Sequence, residues 1–194
     1  GADAVLAGVH VASLMLSPRD PRPTSATRCR AGQAWMWDAV RFEVLHPAPE
    51  TAGDDNQLSC VLRVTSAGGR RVLLTGDIDT SAEHQLLAGE GDLAADVLLA
   101  PHHGSPGSSS PAFVAAVRPR HVVHTAAFGN RYGFPAATVR ERYAAIGSVQ
   151  HVTGEHGAVL FELGHGPIAW TRWRTAFRRY WHARATAAPS RSLP

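Results

Sequence analysis

The order of elements along this chain predicts a layered α/β fold built on mixed sheets. Three observations carry that expectation. The first half reads as strands joined by turns. Beyond residue 80, apolar strands alternate with helices. The 194 residues, 44% of them hydrophobic, are enough to bury a single core.

The elements follow in order. Residues 1–16 read as one short uncapped helix; Ala4–Leu16 is apolar, but it contains His10 and no basic region precedes it, so it is not a signal peptide. Ser17–Arg30 is a loop marked by Pro18, Pro21 and Pro23. Trp35–Asp38 leads into Val40–Leu45, where Val40, Phe42 and Val44 alternate with Arg41 and Glu43, the pattern of a half-buried strand. Pro47–Asn56 is a polar loop ending in the turn Gly53-Asp54-Asp55-Asn56. Ser59–Thr65 and Arg70–Thr75 form a strand pair around Gly68-Gly69. Thr80-Ser81-Ala82-Glu83 has the form of a capping box and opens a helix that stops at Gly89.

Asp96–Ala100 is a buried strand. Ser110 and Pro111 supply the N-cap and first-turn proline of a helix that ends before Pro119. His121–Thr125 is the next strand, and Pro135–Ile146 an amphipathic helix stopped by Gly147. Val149–Thr153 and Ala158–Leu163 read as a strand pair around Gly154–Gly157. Trp170–Arg184 is aromatic and basic: Trp170, Trp173, Phe177 and Trp181 share a helical spacing of three or four. That helix packs on the domain, contacts nucleic acid or lies on a membrane surface. One domain, residues 1–182, therefore precedes a disordered tail, residues 183–194.

No apolar run approaches the roughly 18–20 residues that span a bilayer. The formal charge is +3, and all nineteen basic residues are Arg. Guanidinium forks suit phosphate, although genome composition explains the bias as well. Two cysteines, Cys29 and Cys60, are too few for a zinc site of their own. They are either unrelated thiols or one disulfide, and the disulfide requires an oxidising compartment.

The chemistry concentrates at two strand ends. Leu73-Leu74-Thr75-Gly76 runs into Asp77, and Asp96–Ala100 runs into Pro101-His102-His103-Gly104-Ser105. Open α/β sheets place their ligands at such edges, and a carboxylate with imidazoles suits zinc and its neighbours. Asp79 lies closer to the helix start than Asp77, which leaves Asp77 free to face a site. Gly104 permits close backbone approach. Ser105, Ser108, Ser109 and Ser110 can donate to phosphate oxygens or simply shape a loop and a cap. No G-x-S-x-G elbow makes Ser105 a nucleophile. His124 ends a strand on the same edge, whereas His10, His46, His84, His121, His151, His165 and His182 have no partner at ligand spacing. Asn130-Arg131-Tyr132-Gly133-Phe134-Pro135 is a helix-entry turn in which Arg131 and Tyr132 suit a phosphate and a base.

Together these motifs resemble the C-terminal metallo-β-lactamase-like domain of the ComEC family, competence proteins that carry DNA across the inner membrane. The resemblance rests on Cys29–Gly32 with Trp35–Trp37, Phe42–Pro47, Ser59–Leu62, Leu73–Asp77, Ala95–Ser110, Asn130–Pro135, Thr153–Gly157 and the closing Arg/Trp segment. It implies a layered αββα sandwich with a site for two divalent metals, zinc or manganese, between the sheet edges. It makes Asp77, His102 and His103 the metal-binding and catalytic residues. Ser105, Ser108, Ser109, Asn130, Arg131 and Tyr132 then face substrate. The implied activity is hydrolysis of the DNA strand that is not imported, through a metal-held hydroxide. DNA and the membrane channel of a parent transporter are the implied partners. The implied location is the periplasmic face of the inner membrane, a compartment that suits a Cys29–Cys60 disulfide.

Two departures qualify the resemblance. The family's H-x-D-x-D-H cluster is missing, and Gly1-Ala2-Asp3 resembles the segment that follows it. The fold is therefore expected to lack its N-terminal portion, and the metal site to be incomplete in this chain. Phe134 also stands where many relatives carry His. The chain is then a fragment or a degenerate copy, with a non-catalytic DNA-binding remnant or a metallohydrolase of small phosphoesters as the alternative readings.

Overall fold

The computed structural model describes residues 2–21, 26–89 and 91–182. A short helix α1 (Ala2–Gly8) is followed by β1 (Met15–Leu16), which pairs in parallel with β2 (Thr27–Arg28). The helix expected over residues 1–16 thus stops at Gly8. Gly8 and the β-branched Val9 and Val11 disfavour its continuation, and Val5 and Val9 lie exposed instead of packed. Pro23 and the tail 183–194 lie outside the described residues.

A seven-stranded sheet forms the centre. Strands β3 (Ala34–Trp37), β4 (Val40–His46), β5 (Val61–Thr65) and β6 (Arg71–Leu74) run as an antiparallel meander. From β6 the chain changes habit. Helix α2 (Thr80–Ala88) leads to β7 (Val97–Leu99), α3 (Pro111–Val117) to β8 (His121–His124), and α4 (Ala137–Ala145) to β9 (Val149–Val152). Each of these strands pairs in parallel with the one before. Spatial order therefore equals chain order from β3 to β9. Successive crossovers of one hand in one direction place all three helices on the same face.

That face holds the core. Val61, Leu73, Leu98 and Val122 from the strands meet Ala82 and Leu86 of α2, Phe113, Val114 and Val117 of α3, and Val139 and Tyr143 of α4. On the opposite face the chain returns over β8 and β9, with the loop of its hairpin reaching the β5–β6 turn, where Arg70 donates to Gly166 O at 3.0 Å. A helical turn α5 (Thr153–His156) diverts it from the sheet, and β10 (Val159–Glu162) pairs with β11 (Ala169–Arg172) before α6 (Trp173–Ala176). The molecule is thus layered α/β: helices, a large mixed sheet, and a small hairpin. No helix among the described residues is long and apolar enough to cross a membrane.

Two sequence expectations are corrected here. Val149–Thr153 does not pair with Ala158–Leu163; the α5 turn separates them, so β9 completes the large sheet and β10 finds β11. Trp170 does not share a helix face with Trp173, Phe177 and Trp181. Trp170 and Arg172 lie on β11 with a period of two, and the aromatic spacing of three or four is coincidental.

The hairpin is fastened by a histidine pair that the sequence kept apart. His121 on β8 and His151 on β9 are buried, with Nδ1 of the first 3.2 Å from Nε2 of the second. Arg172 Nε donates to His151 Nδ1 at 3.0 Å. A guanidinium only donates, so His151 Nε2 carries the proton and donates to His121. Phe161 and Trp170 of the hairpin pack on both rings. Their parity on neighbouring parallel strands was the available signal.

Candidate strand-edge site

The site grows from two turns at the C-terminal edges of β6 and β7. After β6, Thr75 is buried and its hydroxyl donates to Leu99 O at 2.8 Å, which binds the two strand ends together. Gly76 then takes φ +58°, a conformation that favours glycine, and turns Asp77 outward. The Asp77 N–H donates to Ser59 Oγ at 3.2 Å. Asp79 caps α2 by accepting from Ala82 N at 3.0 Å. Asp79 is thus the cap its position nearer the helix start indicated, the Thr80 capping box is one residue out, and Asp77 is released from capping.

After β7, Pro101–Gly104 forms a tight turn. His102 and His103 are both left-handed, at φ +47° and +59°, costing on the order of 1–3 kcal/mol each. The His102 N–H donates to Gly76 O at 3.1 Å, joining the two turns. Gly104, at φ +84°, packs where a Cβ would lie 2.7 Å from Pro135 Cβ and 2.8 Å from His124 Nδ1.

This geometry separates the two histidines. His103 Nε2 lies 3.4 Å from Asp77 Oδ1, and its Nδ1 is hydrogen-bonded to Thr125 Oγ1 at 2.8 Å. The pair is well hydrated, with 42% of the Asp77 side chain and 44% of the His103 side chain exposed. His102 instead turns its ring to Phe134, 6.1 Å away edge-on. Two ligands of one tetrahedral zinc, each at about 2.0–2.1 Å, lie about 3.3 Å apart, so the Asp77–His103 spacing suits a shared cation. The smallest catalytic zinc sites nevertheless use three protein ligands. Among the described residues no group of three or more His, Cys, Asp or Glu side chains converges. The described residues alone therefore do not fit a complete metal centre.

The serines correct an expectation. Ser108 and Ser109 are wholly buried and cannot reach a substrate. The Ser108 hydroxyl shares its one proton within the turn between Pro101 O and Ser105 O, each 2.9 Å away. Tyr143 OH donates to Ser109 Oγ at 2.9 Å. The Ser109 and Ser110 N–H groups both donate to Glu83, a buried carboxylate on α2 whose pKa is pushed up by that burial. Ser105 is nearly buried, and its Oγ accepts weakly from Gly107 N at 3.4 Å.

Asn130 likewise serves its own loop. Its Nδ2 donates to Ala127 O at 3.0 Å and Phe134 O at 2.6 Å, and its Oδ1 accepts from Phe134 N at 3.0 Å. Arg131 and Tyr132 are the exposed members of the motif, the guanidinium lying 4.8 Å over the Tyr132 ring. His124 is buried under the site. Gln150 Oε1 accepts from its Nε2 at 3.1 Å, which leaves Nδ1 as a lone-pair acceptor with no hydrogen-bond partner among the described residues. Burial holds its pKa at about 4.

Cys29 and Cys60 are joined by a disulfide with a Cα–Cα distance of 6.1 Å. It ties the segment after β2 to the residue just before β5, next to Ser59.

A layered mixed-sheet α/β domain with a carboxylate and an imidazole gathered at strand C-terminal edges is the class these features define. No family model matches the chain. It is similar to Competence protein ComA of Neisseria gonorrhoeae, 42% identical over 152 residues, which is 78% of this chain and 22% of that protein. It is also similar to Recombination protein 2 of Haemophilus influenzae, 33% identical over 158 residues, 81% of this chain and 20% of the relative. Among solved structures, the metallo-β-lactamase fold protein YhfI of Bacillus subtilis overlaps 68% of this chain and 55% of its own, with a TM-score of 0.36 and 13% identity. The chain belongs to the ComEC family of competence proteins. It spans about a fifth of the length of these two relatives.

Proposed function

We propose that this chain supplies part of a metal-dependent phosphodiesterase that degrades the non-imported DNA strand during uptake. The observation that carries the reading is the Asp77–His103 pair, 3.4 Å apart at adjoining strand ends and held by two left-handed histidines. Strained backbone of this kind clusters at functional sites. In this reading Asp77 and His103 share a divalent cation, zinc or manganese, with further ligands coming from the rest of a longer protein. His102 orients Phe134, while Arg131 and Tyr132 meet the DNA. The Cys29–Cys60 disulfide supports work on the extracytoplasmic side, beside the channel of the parent transporter.

A second reading, a non-catalytic DNA-binding module, rests on the exposed Arg131 and Tyr132 and on the pairing of only two candidate ligands among the described residues. One experiment separates the two. The longer protein is assayed for cleavage of single-stranded DNA with added zinc or manganese, alongside Asp77→Ala and His103→Ala. Cation-stimulated cleavage that falls at least a hundredfold in both variants, with DNA binding kept, is the expected result. Salt-sensitive binding without cation-stimulated cleavage selects the binding module instead.

A further inference from the structure

A concavity separate from the Asp77–His103 pair opens between the 127–134 loop and α5, with a volume of about 240 Å³. Sites for drug-sized ligands occupy roughly 300–1,000 Å³, so this one has room for about one ring system. Phe128 and Phe134 form aromatic walls, Gly129 and Gly133 leave their sides open, Val152 adds an apolar surface and Glu155 brings a carboxylate. Loop and cavity are preformed. The three Asn130 side-chain bonds close the loop on itself, and a further bond runs from Gly133 N to Asn130 O at 3.1 Å.

Gly154 lets α5 approach, since a Cβ there would meet the Ala127 carbonyl carbon at 2.6 Å. Phe134 borders both the cavity and the strand-edge site, lining the first and meeting His102 edge-on at 6.1 Å in the second. Outside, Tyr132 stacks on Phe134 at 5.6 Å and is 63% exposed, with the Arg131 guanidinium over its ring. The result is a half-open cavity with aromatic walls, a ring stacked against it and a cation over that ring.

We propose that this cavity is a subsite for one unstacked nucleobase, held between Phe128 and Phe134 and read by the Glu155 carboxylate. The inference rests on the DNA reading above and deepens it. A carboxylate accepts from an exocyclic amine, so cytosine, adenine and guanine satisfy Glu155. The only edge donor of thymine lies between two carbonyl oxygens that repel a carboxylate. Arg131, held over the Tyr132 ring, neutralises a neighbouring phosphate, as in single-strand grooves that combine stacking with charge. A base inside a duplex cannot enter, so the subsite selects single strands.

The test is fluorescence anisotropy of the chain with labelled dC and dT oligonucleotides of equal length, and with a dC oligonucleotide carrying one abasic site, at fixed low salt. The dC strand is expected to bind several-fold more tightly than dT. Glu155→Gln removes that preference. Phe134→Leu, which keeps an apolar side chain but removes the ring, weakens dC binding about tenfold and abolishes the difference between intact and abasic strands. If the wild-type chain binds all three strands equally, and Glu155→Gln and Phe134→Leu change nothing, the subsite is refuted while the DNA reading stands. If the wild-type chain binds no strand at low salt, the DNA reading fails and the subsite fails with it.

Discussion

A methyl group added to Gly104 would meet both Pro135 and His124 Nδ1 in a backbone already at φ +84°. Gly104→Ala is therefore expected to lower stability by about 1–3 kcal/mol, read as a shift in the urea midpoint. Asp77→Ala, at a largely hydrated side chain, should change stability by no more than about 0.5 kcal/mol. His124 and His151 add a pH signature. Burial holds both near 4, with the Arg172 charge assisting at His151, against about 6.5 when unfolded. The unfolded chain takes up protons that the native state refuses, so stability present above pH 6.5 is lost as pH falls towards 4. At His124 alone the loss amounts to about 3 kcal/mol. Melting temperature measured between pH 7.5 and 4.5 should fall accordingly, and less steeply in His124→Gln. At this scale the sequence showed Asp77 and the His pair because they follow short apolar runs directly. It did not show which His turns to Asp77, since the left-handed turn decides that. Nor did it show that Ser108 and Ser109 face inward, because burial depends on α2 and α4.

Among the elements, α2 illustrates how a correct boundary can carry a wrong cap. Thr80-Ser81-Ala82-Glu83 fits a capping box, but Glu83 does not reach back to its own helix terminus. It reaches across to the Ser109 and Ser110 N–H groups and fixes the entry to α3. Asp79→Ala should cost about 1 kcal/mol, whereas Glu83→Ala strands two buried donors and should cost about 3 kcal/mol or more. Thermal melts of the two variants compare these costs directly. Helix α3 was readable because Ser110 and Pro111 act locally. The β10–β11 hairpin was not, because its pairing depends on the α5 turn and on burial against His121 and His151, contacts that no local period reports.

At the scale of the whole molecule, the succession of strands first and alternating strands and helices after was legible for β4 to β9, since hydrophobic runs and turn residues mark those strands, whereas β1, β2 and β11 fell in segments that read as helix or loop. The disulfide was an open alternative in the sequence, because two cysteines 31 residues apart do not announce their distance in space. Replacing both by serine should lower stability by about 4 kcal/mol, from the freedom restored to a loop of that length, with reversible denaturation as the measurement. The strictly serial strand order has a consequence for synthesis. Every strand of the large sheet from β4 onward finds its neighbour already made, so no earlier segment waits for a later one to be inserted between its partners. Such a chain can assemble from the ribosome outward, each strand docking on a finished edge as domains fold during translation. Nascent chains halted after β6, β7 and β8 should therefore show protease-resistant cores that lengthen stepwise by one crossover unit.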